Sequence, residues 1–199
     1  MVSYSGGKFR TGHDLARAIM KEVIKYGGVE GYCEPFCGMC SVMKYIVLDN
    51  ADAKYLAGDI NASIIKMWQK LQTGWVPPRH ESLDRKLYAK LKNSPRDSAL
   101  KGFYLLHGNS GDWGHSATYS TTRPPVKTSD ELVDIVEFLE PVVFSAGDYT
   151  QYTKLRGYCI YLDPPYENTY SLPGSRTGRG CSTTKPFTGG ALPWPKTTW

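Results

Sequence analysis

The sequence predicts an α/β fold in which short apolar strands alternate with amphipathic helices. The β-rich runs at 54–58 and 158–162 each end at an aspartate, and a third run at 142–145 precedes Gly147-Asp148-Tyr149. Apolar residues at helical spacing separate these runs, which is typical of strand–helix–strand units around a parallel sheet. A chain of 199 residues is long enough for one domain with a hydrophobic core.

Composition and charge limit the possible classes of protein. The chain is 41% hydrophobic and 22% charged with a net charge of +5, which is compatible with nucleic-acid binding without requiring it. No apolar run is long enough for a membrane span, and the N-terminus has no signal-peptide pattern. Five cysteines, an odd number, lie mostly in or beside apolar runs, which favours reduced thiols. We therefore expect an intracellular protein.

The N-terminal segment predicts a glycine loop followed by a helix. Tyr4-Ser-Gly-Gly-Lys8 ends in a cation, and Thr11 to Asp14 has the pattern of a capping box. Gly27-Gly28 predicts the helix end, and the apolar face between them consists of Leu15, Ile19 and Val23. Any N-terminal helix with a polar leader would have this pattern, so the segment alone assigns no function.

The segment Glu34-Pro-Phe-Cys-Gly-Met-Cys-Ser41 follows Tyr32-Cys33 and predicts a strand end, a glycine turn and a helix that begins near Ser41. Such a turn lets backbone N–H groups and a helix N-terminus face a ligand. Its cysteines are not followed by a second Cys or His pair at zinc spacing. We interpret them as small side chains in a tight junction.

An acid also ends the second predicted strand, Lys54–Gly58. Asp59 lies about 20 residues after Gly38, the separation at which an acidic residue holds ribose hydroxyls in dinucleotide sites. The alternative is a loop or capping aspartate. Asn61 is positioned to cap the next helix, whose apolar face consists of Ile64, Ile65, Trp68 and Leu71.

The middle of the chain, residues 72–128, is basic and predicts two helices and a polar loop. The leucine stripes are Leu83, Leu87 and Leu91, then Leu100 to Leu106, and the cations are Lys86, Lys90, Lys92, Arg96 and Lys101. The loop carries Trp113, His115, Tyr119 and Arg123, side chains that suit base insertion or stacking. A solvated helix face and a packed-down loop would give the same patterns. Ser129 then has the pattern of a cap for another helix.

Tyr158–Tyr166 combines a buried strand with a polar, rigid end. Asp163 stops the apolar run, and Pro164 and Pro165 cannot continue a strand ladder. The Asp163 carboxylate and the Pro164 carbonyl can both accept hydrogen bonds from an amino group, and Tyr166 offers a stacking face. These groups suit a planar ring with an exocyclic amine, although a plain strand-to-turn junction could also end this way.

Four motifs in order carry a resemblance: Tyr4–Lys8, Glu34–Gly38, Asp59–Asn61 and Asp163–Tyr166. The chain resembles the Dam-like DNA adenine-N6 methyltransferases. This implies a Rossmann-like sheet with a small helical target-recognition insert, S-adenosylmethionine as cofactor and double-stranded DNA as partner, with no metal or membrane. The cofactor contacts implied are Tyr4, Lys8, Glu34, Phe36, Gly38, Asp59, Asp148 and Asp163. The catalytic residues implied are Asp163, Pro164, Pro165 and Tyr166.

One position departs from the family pattern. Cys40 stands where the family usually has a second glycine after the phenylalanine. A Cβ at this position would crowd the methionine part of the cofactor.

The location implied by the resemblance is the cytoplasm, or the nucleoid or nucleus with DNA.

The resemblance divides the chain into a cofactor-binding part at 1–71, the insert at 72–128, a catalytic part at 129–170 and an irregular tail at 171–199. The family continues with further strands after the last motif, so we expect C-terminal truncation, and a shifted reading frame beyond Gly180 would account for it. The 158–162 strand would then be an exposed apolar edge. Two alternatives to adenine methylation stay open: N4-cytosine methylation, and an inactive remnant that binds DNA or cofactor without turnover.

Overall fold

The computed structural model describes residues 8, 10–49, 53–79, 84–108 and 125–164. Internal contacts group Met1–Pro165 into one compact unit and Tyr166–Trp199 into a second. The second unit, with the predicted irregular tail, lies outside the described residues.

A four-stranded parallel sheet forms the centre of the first unit. The strands are β1 (Gly31–Glu34), β2 (Lys54–Asp59), β3 (Val142–Ala146) and β4 (Tyr158–Ile160), and their spatial order is β3-β2-β1-β4. This architecture confirms the predicted α/β fold. In the part of the chain that the structure describes, β4 is an edge strand, and Leu162 beyond it is 41% exposed.

Six helices accompany these strands in the described ranges: α1 (Gly12–Lys25), α2 (Met43–Asp49), α3 (Ala62–Gln72), α4 (Arg85–Lys92), α5 (Ala99–Gly108) and α6 (Pro125–Glu137). A 3₁₀ turn at Tyr149–Tyr152 follows β3. In the described part no helix is both long enough and apolar enough to cross a membrane.

Helix α1 ends as predicted, but its first turn is not capped as predicted. Gly27 and Gly28 both have positive φ, and the Gly28 N–H donates to the Val23 carbonyl, which terminates the helix. The predicted capping box is wrong, because the Thr11 side chain makes no capping hydrogen bond. The Lys8 carbonyl instead accepts from the backbone N–H groups of Thr11 and Gly12.

Helix α3 packs against the sheet and against α5, one of the helices of the predicted insert. Its cap is as predicted, since the Asn61 side chain accepts from the Ser63 N–H at 3.1 Å. Trp68 is fully buried and stacks on Phe144 of β3. Helix α5 crosses α3 closely because Gly102 has no side chain, and a Cβ there would collide with the Ser63 carbonyl oxygen.

Two of the predicted boundaries are corrected by tertiary contacts. Helix α6 begins at Pro125, so Ser129 is not its cap: Ser129 lies inside the helix, where its hydroxyl donates to the Pro77 carbonyl at 2.9 Å. Helix α2 begins at Met43, two residues after Ser41, and so starts near the predicted position. The ladder of β4 ends at Ile160, two residues before the end of the apolar run.

Candidate active site

The carboxyl ends of all four strands carry the residues that the motifs single out. Glu34 is the last residue of β1 and Asp59 the last of β2, while Asp148 and Asp163 follow β3 and β4. Parallel strands end at one edge of a sheet, which is where open α/β folds bind ligands. The candidate site therefore lies at this edge.

A charged contact links the glycine loop to the last motif. The Lys8 Nζ donates to both carboxylate oxygens of Asp163, at 2.8 Å to Oδ1 and 2.6 Å to Oδ2. The two side chains are 24% and 21% exposed, so the pair is partly shielded from water. This contact joins residues that are 155 positions apart in the chain.

The turn between β1 and α2 is tightly folded. Gly38 and Cys40 both have positive φ, of 43° and 52°, and the Cys40 N–H donates to the Cys37 carbonyl at 2.7 Å. Contacts from outside also fix the turn: the Cys37 N–H donates to the Gly58 carbonyl at 2.8 Å, and the Trp68 indole N–H donates to the Gly38 carbonyl at 2.9 Å. The turn is therefore held in place before any ligand binds.

Asp59 is bound to this turn through its side chain. Its Oδ2 accepts from the Gly38 N–H at 3.1 Å, and its Oδ1 accepts from the Asn61 N–H at 2.8 Å. Burial raises the pKa of Asp59, and these two hydrogen bonds oppose that rise. Two further lone-pair positions on the carboxylate are left to accept hydrogen bonds.

Glu34 is a buried acid at the end of β1. The Tyr32 hydroxyl donates to Glu34 Oε1 at 2.8 Å, and the Met43 backbone N–H donates a second hydrogen bond. Burial, together with the negative charge of Asp163, raises the pKa of Glu34 to about 8. The carboxyl group therefore keeps its proton at neutral pH.

An aromatic pair lies between the first turn and the segment after β3. The rings of Phe36 and Tyr149 are 5.6 Å apart between centroids and tilted by 30°. Asp148 is exposed and caps the following 3₁₀ turn, with Oδ1 accepting from the Thr150 N–H at 2.9 Å. That hydrogen bonding lowers the pKa of Asp148.

The structure brings most of the predicted site residues to one edge and leaves three undescribed. Tyr4, Pro165 and Tyr166 lie outside the described residues, as do Trp113, His115, Tyr119 and Arg123 of the predicted loop. Pro164 is described and exposed. Within the described ranges no group of three or more His, Cys, Asp or Glu side chains could hold a metal ion.

Helices α4 and α5 of the predicted insert pack against each other, and α5 packs on α3. Asp84 caps α4 by accepting from the N–H groups of Lys86 and Leu87. The predicted cations differ in exposure: Lys86, Lys90 and Arg96 are exposed and Lys92 is half-buried. Lys101 is largely buried and donates to the Ser94 carbonyl at 2.8 Å, so it belongs to the packing of this pair.

A family model for the D12 class N6 adenine-specific DNA methyltransferases matches residues 4–123. The chain belongs to this family. D12 class enzymes transfer a methyl group to N6 of adenine in DNA and generally use S-adenosylmethionine. The match confirms the predicted adenine-N6 DNA methyltransferase, and no finding favours the N4-cytosine alternative. The comparison with curated proteins finds no match.

Sequence reasoning missed three residues at the candidate site. Tyr32 and Trp68 were assigned only to a strand and a helix face, yet they fix Glu34 and Gly38. Ser41 was assigned only to a helix start. The position of Tyr32, two residues before Glu34 on one strand, is a signal that could have revealed that pair.

The described residues fit a cofactor with hydroxyl groups and a positive charge. The Ser41 hydroxyl is buried and has no hydrogen-bond partner within the described ranges. Asp59 has acceptor positions to spare, and Glu34 forms no ion pair in the described part of the chain. S-adenosylmethionine, with its ribose diol, ammonium and sulfonium, has groups that match these three side chains.

Proposed function

We propose that this chain holds S-adenosylmethionine at the carboxyl edge of the sheet and methylates adenine extruded from duplex DNA. The Lys8–Asp163 contact is the observation that carries the proposal, because it joins the glycine loop to the Asp-Pro-Pro-Tyr segment. An extruded base can reach such a pocket, whereas a stacked base cannot. A DNA substrate also supports an intracellular location.

The cofactor-binding roles follow the order of the strands. Asp59 accepts from the ribose hydroxyls, and Gly38 lets the backbone approach the cofactor. Phe36, whose ring packs against Tyr149, and Asp148, which precedes Tyr149, are proposed to contact the adenine end of the cofactor. Glu34 faces the methionine end, and Tyr4 and Lys8 complete the site from the glycine loop.

The target amine is held by acceptors. Asp163 and the Pro164 carbonyl accept from the adenine amino group, which makes the nitrogen lone pair more available. Pro165 has no N–H to compete for that carbonyl, and Tyr166 stacks on the base. The bound cofactor supplies an electrophilic methyl group on a sulfonium. The contribution of the protein is mainly positioning.

The insert is the proposed DNA-contacting part. The cations Lys86, Lys90 and Arg96 are exposed on and after α4, where they can contact phosphates. Phosphate contacts orient a protein on the duplex without reading its sequence. Trp113, His115, Tyr119 and Arg123 are proposed to approach the bases.

Substitution of Asp163 tests the pocket. Asp163→Asn should lower methylation of adenine-containing duplex DNA by about 100-fold or more, because the amine loses a charged acceptor and the ion pair with Lys8 is lost. The measurement uses methyl-labelled cofactor followed by nucleoside analysis. Asp134→Asn, an exposed change on α6, is the matched control and should leave turnover unchanged.

The same assay separates the alternatives. Near-native turnover by Asp163→Asn would contradict the assigned role of this residue. Labelled N4-methylcytosine instead of N6-methyladenine would contradict the proposed target. Binding of cofactor or DNA by the native chain without turnover would favour a binding-only protein.

A further inference from the structure

Tyr32 and Glu34 form a buried pair on one face of β1. Side chains two positions apart on a strand point to the same face, and the Tyr32 hydroxyl donates to Glu34 Oε1 at 2.8 Å. The Met43 N–H, at the start of α2, donates to the same carboxyl group. Tyr32 is 2% and Glu34 3% exposed. Two fixed donors therefore hold this carboxyl group in one orientation.

Among the described residues, the Glu34 carboxyl group has acidic neighbours but no cation as an ion-pair partner. Lys8 is bound to both oxygens of Asp163, and within the described residues Glu34 forms no ion pair. Within the described residues, the titratable groups that interact electrostatically with Glu34 include Tyr32 and Cys33 on β1, Cys37 and Cys40 in the turn, and Asp163 after β4. None of them is a cation. Burial raises the pKa of Glu34 to about 8, which keeps the group neutral at physiological pH.

We propose that Tyr32 is a positioning residue that orients Glu34 as the counter-ion for the positively charged methionine part of S-adenosylmethionine, and that Glu34 releases its proton when this cation binds. The inference rests on the proposed cofactor site. A positive charge brought into a buried site favours the ionised form of a neighbouring acid. The O–H bond of the Glu34 carboxyl group breaks, its electron pair stays on the oxygen, and the proton passes to water.

Proton release can be measured by titration calorimetry in two buffers of different ionisation enthalpy. At pH 6.5 the native chain should release about one proton for each S-adenosylmethionine bound. Glu34→Gln preserves the shape of the side chain but has no proton to lose, so its binding heat should be nearly the same in both buffers. Equal proton release by the native chain and Glu34→Gln would overturn the inference.

Tyr32→Phe tests the positioning role through the dependence of affinity on pH. The Tyr32 hydrogen bond lowers the pKa of Glu34, so its loss makes ionisation harder. The variant should bind the cofactor about tenfold more weakly than the native chain at pH 6.5, but only about threefold more weakly at pH 8.5. A purely structural role would give one ratio at every pH and would contradict the inference. Tyr104→Phe, the same change at a buried tyrosine on α5, is the control.

Failure of this inference is distinguishable from failure of the proposed function. If the native chain binds S-adenosylmethionine without releasing a proton, only the role of Tyr32 and Glu34 is overturned. If the native chain binds no cofactor at all, the proposed cofactor site is overturned, and the inference is overturned with it.

Discussion

Cys40 has a backbone conformation that its side chain disfavours. Its φ of 52° lies in the left-handed region, which costs a non-glycine residue about 1–2 kcal/mol. The residue is fully buried, its carbonyl accepts from the Lys44 N–H, and its thiol accepts a hydrogen bond from the Cys37 thiol. The turn thus retains the conformation that a glycine would favour, with a cysteine in its place.

Substitutions at Cys40 should reverse the usual order of alanine and glycine. Both changes remove the thiol, but only Cys40→Gly also removes the backbone strain. We expect Cys40→Gly to be more stable than Cys40→Ala by about 1 kcal/mol in urea unfolding. At exposed Ala89 within α4, Ala89→Gly should lower stability by about 1 kcal/mol, as in ordinary helices. A less stable Cys40→Gly than Cys40→Ala would show that the turn is not strained.

Asp59 should contribute to cofactor affinity through charged hydrogen bonds. Asp59→Ala is expected to weaken S-adenosylmethionine binding by about 1.5–3 kcal/mol, measured by calorimetry. Asp84→Ala is the matched control, since Asp84 also accepts from two backbone N–H groups but caps α4 in the insert. Unchanged affinity in Asp59→Ala would remove Asp59 from the cofactor site.

The elements that build the site are joined by close backbone contacts. Gly12 at the start of α1 lies so close to the Ser41 carbonyl oxygen that a Cβ would collide with it. Gly58 near the end of β2 lies against the Tyr152 ring in the same way. These contacts bring α1 and the segment after β3 against the candidate site.

The crossing of α5 over α3 depends on Gly102. Gly102→Ala should lower the free energy of unfolding by about 1–3 kcal/mol, although alanine is ordinarily the better helix former. The reason is that the Cβ of the introduced alanine would collide with the Ser63 carbonyl oxygen. Thermal or urea unfolding measures the effect. Unchanged or raised stability would mean that the two helices do not approach so closely in solution.

At the scale of the whole molecule, the buried acid makes stability depend on pH. The pKa of Glu34 rises from an ordinary 4.5 to about 8 on folding, so the folded chain binds this proton more tightly than the unfolded chain. The resulting stabilisation is complete below about pH 4.5, declines as the pH rises, and is lost above about pH 8. Burial raises the pKa of Asp59 as well, which acts in the same direction.

Urea unfolding between pH 5 and pH 8.5 tests this dependence. The native chain should lose stability on the order of 3–5 kcal/mol more than Glu34→Gln over this range, because glutamine has no proton to lose. Parallel profiles for the two proteins would show that Glu34 is ionised in the folded chain at neutral pH.

Local patterns in the sequence determined the element types and the order of the acids along the sheet. A strand ending in an acid can be recognised from residue type and alternation alone, and Asn61 acts as a cap through its own neighbours. Thr11 and Ser129 have equally good capping patterns, but tertiary contacts decide against both. Short-range patterns limit which conformations are possible, whereas contacts with distant segments determine which of them forms.

The site depends on contacts between residues far apart in the chain, and only the tertiary structure decided those. The Lys8–Asp163 pair joins positions 155 apart, and no spacing rule connects the N-terminal motif to the segment after the fourth strand. The protonation of Glu34 likewise follows from its burial and from the nearby charge of Asp163, although its side chain is an ordinary acid. Charge and pKa depend on the surrounding dielectric and on neighbouring groups, which exist only once the sheet has assembled.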